Sequence, residues 1–149
     1  GVTDRFMTTI SLGRASTDEE VEVLTGRRGR GQLGSVVRVA TVGDLGTGRC
    51  AVQRVHLADA VAMYAVAILH GTRSHQRVRL GASTRGGVAL VSLAKAFSFM
   101  AGRDYVAPHD IARAALSALP HRLVMAGSER AHAADVVAEC IAAVQAPRR

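Results

Sequence analysis

Four stretches of this chain place apolar residues three and four positions apart, and that spacing constrains the fold more than any other feature. Val61, Tyr64, Ala65, Ile68 and Leu69 form the first set, in a helix predicted to begin near Ala58. Leu90, Leu93, Ala94 and Phe97 form the second, after Arg85. Ala112, Ala115, Leu116 and Leu119 form the third, behind a Pro108 suited to a first helical turn. Val137, Cys140, Ile141 and Val144 form the last. Each set lies along one face of an α-helix, so each helix carries a stripe that must be buried against a neighbour. Composition decides what fills the space between them: 48% of the 149 residues are hydrophobic, only 3% are aromatic, and Trp is absent. A core of Ala, Val, Leu and Ile favours close helix packing over a β-sandwich. The predicted class is mainly α, a small helical bundle, in a chain with room for one ordinary domain.

The N-terminus follows a different rule. Phe6, Thr8, Ile10 and Leu12 alternate with Met7, Thr9 and Ser11, and a period of two predicts a strand. A strand with no partner nearby in sequence cannot stand alone, so it reads as one N-terminal strand left from an α/β core that this sequence does not contain. Ser16-Thr17-Asp18-Glu19 fits a capping box and predicts a short helix through about Leu24. Residues 26–40, opening on Gly26-Arg27-Arg28-Gly29-Arg30, read as a mobile basic loop. A helix from Thr41 is predicted to be weak, because Gly43, Gly46 and Gly48 each cost it about 1 kcal/mol relative to Ala. Val55-His56-Leu57 and Tyr105-Val106-Ala107 are short links that could extend and pair.

The net charge is +7 and its cations are almost all arginine, Lys95 being the single lysine. Such a surface favours anionic partners. Several motifs for them fail on context. Gly29-Arg30-Gly31-Gln32-Leu33-Gly34 spells G-x-G-x-x-G, yet a helix precedes it and the strand-like Ser35–Val39 follows, the reverse of a dinucleotide site. Gly43 to Arg49 is glycine-rich without the Lys-Ser or Lys-Thr of a phosphate loop. Arg27-Arg28-Gly29-Arg30 lacks interleaved aromatics and reads as a solvated loop, which makes nucleic acid an unfavoured partner. His70 and His75 lack zinc spacing, and no metal site is predicted. Cys50 and Cys140 form no spaced motif, and Cys140 reads as a buried reduced thiol. With no membrane-length apolar run and no signal-peptide pattern, a cytoplasmic chain is expected.

One segment stands out as a candidate anion site: Leu80-Gly81-Ala82-Ser83-Thr84-Arg85-Gly86 sets an arginine where a flexible loop turns into a long apolar helix. Ser83 or Thr84 can cap that helix, whose first turn offers unpaired N–H groups and the positive end of the dipole. A guanidinium added there suits phosphate.

Three segments together resemble the C-terminal part of a MoxR-type AAA+ ATPase. The first is Asp4-Arg5-Phe6 running into Met7–Gly13; the second is Arg73 through Gly86, with Val78–Gly86 close to that family's lid motif; the third is Ala101–Asp110, continuing to His121-Arg122-Leu123. The resemblance implies that residues 1–13 are the trailing end of the ATPase core and residues 14–149 a helical lid domain. It implies that Arg5 acts as an arginine finger, in trans, on ATP bound by a neighbouring subunit. It also implies that Arg85 is the sensor 2 residue, touching the nucleotide of its own subunit with Ser83 and Thr84 beside it. ATP is the implied cofactor, its Mg held by the core. The implied partners are that core, the neighbouring subunits of a hexamer, and a protein with a von Willebrand factor A domain. The implied function is to sense ATP and support ring assembly, so that hydrolysis drives chaperone-like protein remodelling. Without the Walker motifs this segment is expected to be inactive alone. The sequence departs from the family's pattern where glycines interrupt the helix from Thr41, and at Ala107, where a capping Thr or Ser is expected. The alternative reading is an arginine-rich helical domain that binds nucleic acid or another protein.

Overall fold

A computed structural model describes residues 2–27, 36–127 and 133–148. The chain divides into two compact units, residues 1–9 with 48–149 and residues 10–47.

The first unit is the helical bundle. Its helices are the end of α2 (Val42–Arg54), α3 (Asp59–Ser74), α4 (Thr84–Met100), α5 (Pro108–Ala118) and α6 (Ala133–Ala143). The first stripe is buried as its spacing demands: Val61, Tyr64, Ala65, Ile68 and Leu69 all face inward from α3. Leu90 and Ala94 of α4, and Val136, Val137 and Cys140 of α6, complete the core, with Leu93, Phe97, Ile141 and Val144 packed half-buried against it. Each such Leu or Ile side chain withdrawn from water contributes roughly 1.5–3 kcal/mol before entropy is subtracted. α4 and α5 make the most extensive pairing, and the fully enclosed Ala94, Ala114, Ala115 and Ala118 show what lets them approach so closely.

The α5 stripe differs from its predicted set. Ile111, Ala114, Ala115 and Ala118 are enclosed, while Leu116 is 48% exposed and Ala112 lies at the edge. Both sets fit helical spacing. The register is chosen by Asp110, which is buried beside Ile111 and bound to Arg103, and this rotates the helix by about one position.

Two small pairings tie the helix ends. His56 and Tyr105 form a parallel bridge, with His56 N–H donating to Asp104 O at 2.7 Å and Val106 N–H to His56 O at 2.9 Å, so the two extended links do pair. A second pairing was not foreseen: β1 (Val78–Leu80) runs antiparallel to β2 (Val124–Met125). At the N-terminus, Val2–Arg5 form a 3-10 turn, and residues 7–12 are in no strand. The alternation at Phe6–Leu12 finds no sheet to join among the described residues. Its backbone is held instead through Thr9 N–H to Ser117 O.

The second unit holds α1 (Thr17–Leu24) and the start of α2, and neither helix buries a residue. Both are made by caps. Ser16 accepts from Glu19 N–H at 3.4 Å while Glu19 accepts from Ser16 N–H at 2.9 Å, which is the predicted capping box. Thr41 and Asp44 exchange the same two bonds at 3.1 and 2.7 Å, which starts α2 despite its glycines. Of the basic loop predicted over 26–40, and of the rejected G-x-G-x-x-G segment, residues 28–35 lie outside the described residues.

Candidate functional site

The loop into α4 is pinned rather than flexible. A Cβ at Gly81 would lie 2.5 Å from Arg73 Cα, so only glycine lets the exit from β1 pass this close to the end of α3. The next residue is held at both backbone groups. Ala82 N–H donates to Thr72 Oγ1 at 3.0 Å, and Ala82 O accepts from Arg73 Nε at 2.8 Å. Gly87 is tight for the same reason, its missing Cβ falling 2.7 Å from Leu69 Cδ1. These contacts aim the first turn of α4.

Ser83 is the cap: its hydroxyl accepts from Gly86 N–H at 3.2 Å. Thr84 is therefore the first helical residue and Arg85 the second, both exposed. Their amides have no acceptor among the described residues, as helix geometry leaves them. The other described α-helices each carry an acidic residue in the first turn, and α4 carries none. The Arg85 guanidinium has no carboxylate partner among the described residues. This first turn combines two unpaired amides, the exposed Thr84 hydroxyl and a cation, a donor set that fits phosphate oxygens, while the Ser83 hydroxyl is turned to Asp4 Oδ1.

Arg5 sits close to this turn in the fold. Asp4 Oδ1 lies 3.5 Å from Ser83 Oγ, so the 3-10 turn bearing Arg5 borders the cap of α4. Arg5 is exposed and has no ion-pair partner among the described residues. The residue that holds this arrangement is Arg122, whose side chain is 2% exposed. Its Nη1 donates to Asp4 O at 2.6 Å and to Asp4 Oδ1 at 2.7 Å, its Nη2 to Phe6 O, and its Nε to Ala118 O at 2.8 Å. His121 Nε2 adds a 3.0 Å bond to Phe6 O. Sequence reasoning assigned Arg122 no role. The available signal was a lone cation between Leu119 and Met125, a run otherwise built of Pro, His and apolar residues.

The far end of α4 is organised by a second buried network. Gly102, at φ +71°, ends the helix in a Schellman motif: Gly102 N–H donates to Phe99 O at 2.9 Å and Arg103 N–H to Ser98 O at 3.0 Å. That turn sends Arg103 back to grip Asp110 with two bonds of 2.7 Å. Ser98 Oγ lies 2.9 Å from the same carboxylate, and Ala107 N–H donates to it at 2.8 Å. Ala107 has no side-chain acceptor, so the start of α5 keeps only this half of a capping box. Burial pushes the Asp110 carboxyl up, but the Arg103 guanidinium, the Ala107 amide and the Ser98 hydroxyl outweigh it and hold the group at about 2.

Cys140 is buried, and burial followed by the nearby Glu139 pushes its thiol up, away from reactivity. Among the described residues, no helix is long and apolar enough to cross a membrane.

Residues 70–140 match the AAA lid domain family, and that match covers α4, its capping turn and Arg122. The uncharacterized protein YeaC of Bacillus subtilis is 35% identical over 97% of this chain and 46% of its own length. The chaperone MoxR1 of Mycobacterium tuberculosis is 28% identical over 82% of this chain and 34% of its own length. The crystal structure of a proposed ATPase from Cytophaga hutchinsonii superposes with a TM-score of 0.79 at 25% identity, over 97% of this chain and 48% of that one. The chain thus spans about half the length of YeaC and about a third of MoxR1. The lid match, the chaperone relative and the shared fold together support reading the chain as a segment of a MoxR-type AAA+ ATPase that contains its lid domain.

Proposed function

We propose that this chain senses nucleotide for a MoxR-like AAA+ ATPase through the first turn of α4. Arg85 contacts the phosphates of ATP held by its own subunit, as sensor 2, with the Ser83 cap and Thr84 beside it. The observation that carries this is the first turn itself: Arg85 stands exposed at the second helical position with no carboxylate partner among the described residues. A guanidinium beside unpaired helix amides binds phosphate oxygens in a fixed orientation.

Arg5 serves a different nucleotide. Its exposure, with no ion-pair partner among the described residues, suits an arginine finger that reaches ATP on the neighbouring subunit and stabilises charge developing at the γ-phosphate. When bound, ATP supplies the phosphoanhydride bond whose hydrolysis drives the cycle. Its Mg is held by the core to which residues 1–13 belong, and residues 14–149 form the lid. The assembled protein is a ring of six cytoplasmic subunits that remodels or assembles client proteins, beside a partner bearing a von Willebrand factor A domain.

The test is made in the full ATPase assembly. Arg5→Ala is expected to abolish hydrolysis while sparing nucleotide binding. Activity should return when these subunits are mixed with core-inactivated subunits that supply an intact Arg5. Normal hydrolysis by a ring built only of Arg5→Ala subunits would remove the finger assignment.

A further inference from the structure

Arg122 brackets Arg5. It donates to the carbonyl of the residue before Arg5 and to the carbonyl of the residue after it, Asp4 and Phe6, and takes the Asp4 carboxylate as well. A buried arginine needs its donors satisfied, and three of the four bonds that satisfy this one go to Asp4 and Phe6, the two residues that flank Arg5. The same side chain reaches the other candidate arginine's helix: a Cβ at Gly86, the residue after Arg85, would lie 3.1 Å from Arg122 Cδ. Glycine at 86 thus leaves the space through which the Arg122 stem passes below the first turn of α4. The fourth bond, to Ala118 O, fixes Arg122 on the last turn of α5.

We infer that Arg122 is a positioning residue that clamps the Asp4–Phe6 turn onto the first turn of α4, so that Arg5 and Arg85 are carried on one rigid surface. The inference rests on the nucleotide reading of those two arginines. It adds that the trailing end of the core, which carries Arg5, stays docked on the lid, so that Arg5 and Arg85 keep a fixed relative position. A nucleotide held by one subunit is thereby coupled to the finger presented to the next. Arg122 touches no nucleotide itself.

The test has two arms. Hydrogen exchange compares the wild-type chain with Arg122→Gln and with Asp4→Ala, the latter removing the carboxylate from a half-exposed position and leaving the bundle interior alone. Exchange in residues 3–9 is expected to quicken about tenfold in both variants, with residues 108–118 unchanged. Unchanged exchange in residues 3–9 overturns the clamp, as does a uniform loosening of the whole bundle in both variants. In the full ATPase, Arg122→Gln should lower kcat more than it raises KM, and adding Arg122→Gln to Arg5→Ala should cost little further. Full additivity of the two substitutions would overturn the positioning role. Should Arg5→Ala alone leave turnover intact, the finger reading fails, while the exchange arm still decides the clamp.

Discussion

The two ends of α4 use arginine in opposite ways. At the C-terminal end Arg103 is spent inside the protein, locked on Asp110 by two 2.7 Å bonds, and the charge is neutralised where it stands. At the N-terminal end one arginine, Arg122, is spent in the same fashion on Asp4, while Arg85 and Arg5 are exposed with no carboxylate partner among the described residues. Fold stability explains the first arrangement fully. It does not explain why a helix start, already electropositive from its dipole, carries a further exposed cation while the Asp4 carboxylate beside its cap is held by Arg122. The contrast separates arginines that build the fold from arginines that the fold presents.

Stability measurements should divide along that line. Arg103→Ala strands the Asp110 carboxylate, whose side chain is 4% exposed, and should cost roughly 3 kcal/mol in chemical denaturation. Arg85→Ala should stay within about 0.5 kcal/mol of wild type. A large loss from Arg85→Ala would erase the distinction between the two ends.

Acid should act on the Asp110 end. The carboxyl falls from 3.8 to about 2 in the folded protein, so it binds its proton more readily when unfolded. Its contribution is complete above the unfolded value and is lost as pH falls from about 4 toward 2. The loss amounts to about 2 kcal/mol. Unfolding free energies at pH 6 and pH 2.5 should show it in the wild-type protein, and Asp110→Asn should remove that part of the dependence.

Backbone fit at the other end can be probed more gently. Gly81→Ala drives a methyl group into the Arg73 backbone and should cost about 1–3 kcal/mol. Ser83→Ala removes one cap bond and should cost about 1 kcal/mol. The melting temperature reports both, and a Gly81→Ala protein as stable as wild type would mean that the loop into α4 is not held as described.

Much of the bundle was legible because burial leaves a periodic trace. The α3 stripe was read residue for residue, as was the Ser16 capping box. The α5 stripe was read correctly at Ala115 and Leu119 but not at Ala112 and Leu116, because two helical faces fitted the letters, and the contact of Arg103 with Asp110 follows from a reversal at Gly102 that hydrophobic spacing does not encode. Period two at Phe6–Leu12 records a tendency to extend, not the presence of a neighbouring strand. At the candidate site Ser83 and Arg85 announced themselves through helix-start chemistry. Arg122 did not, since its partners at Asp4 and Phe6 lie more than a hundred residues away and are mostly backbone carbonyls, identical at every position.

The central claim is that the first turn of α4 reads nucleotide, and Arg85→Ala in the full ATPase tests it most directly. Nucleotide affinity measured by titration should fall about tenfold, a loss of about 1.4 kcal/mol, with the melting temperature of the nucleotide-free protein unchanged. Unchanged affinity together with unchanged ATP turnover would contradict it.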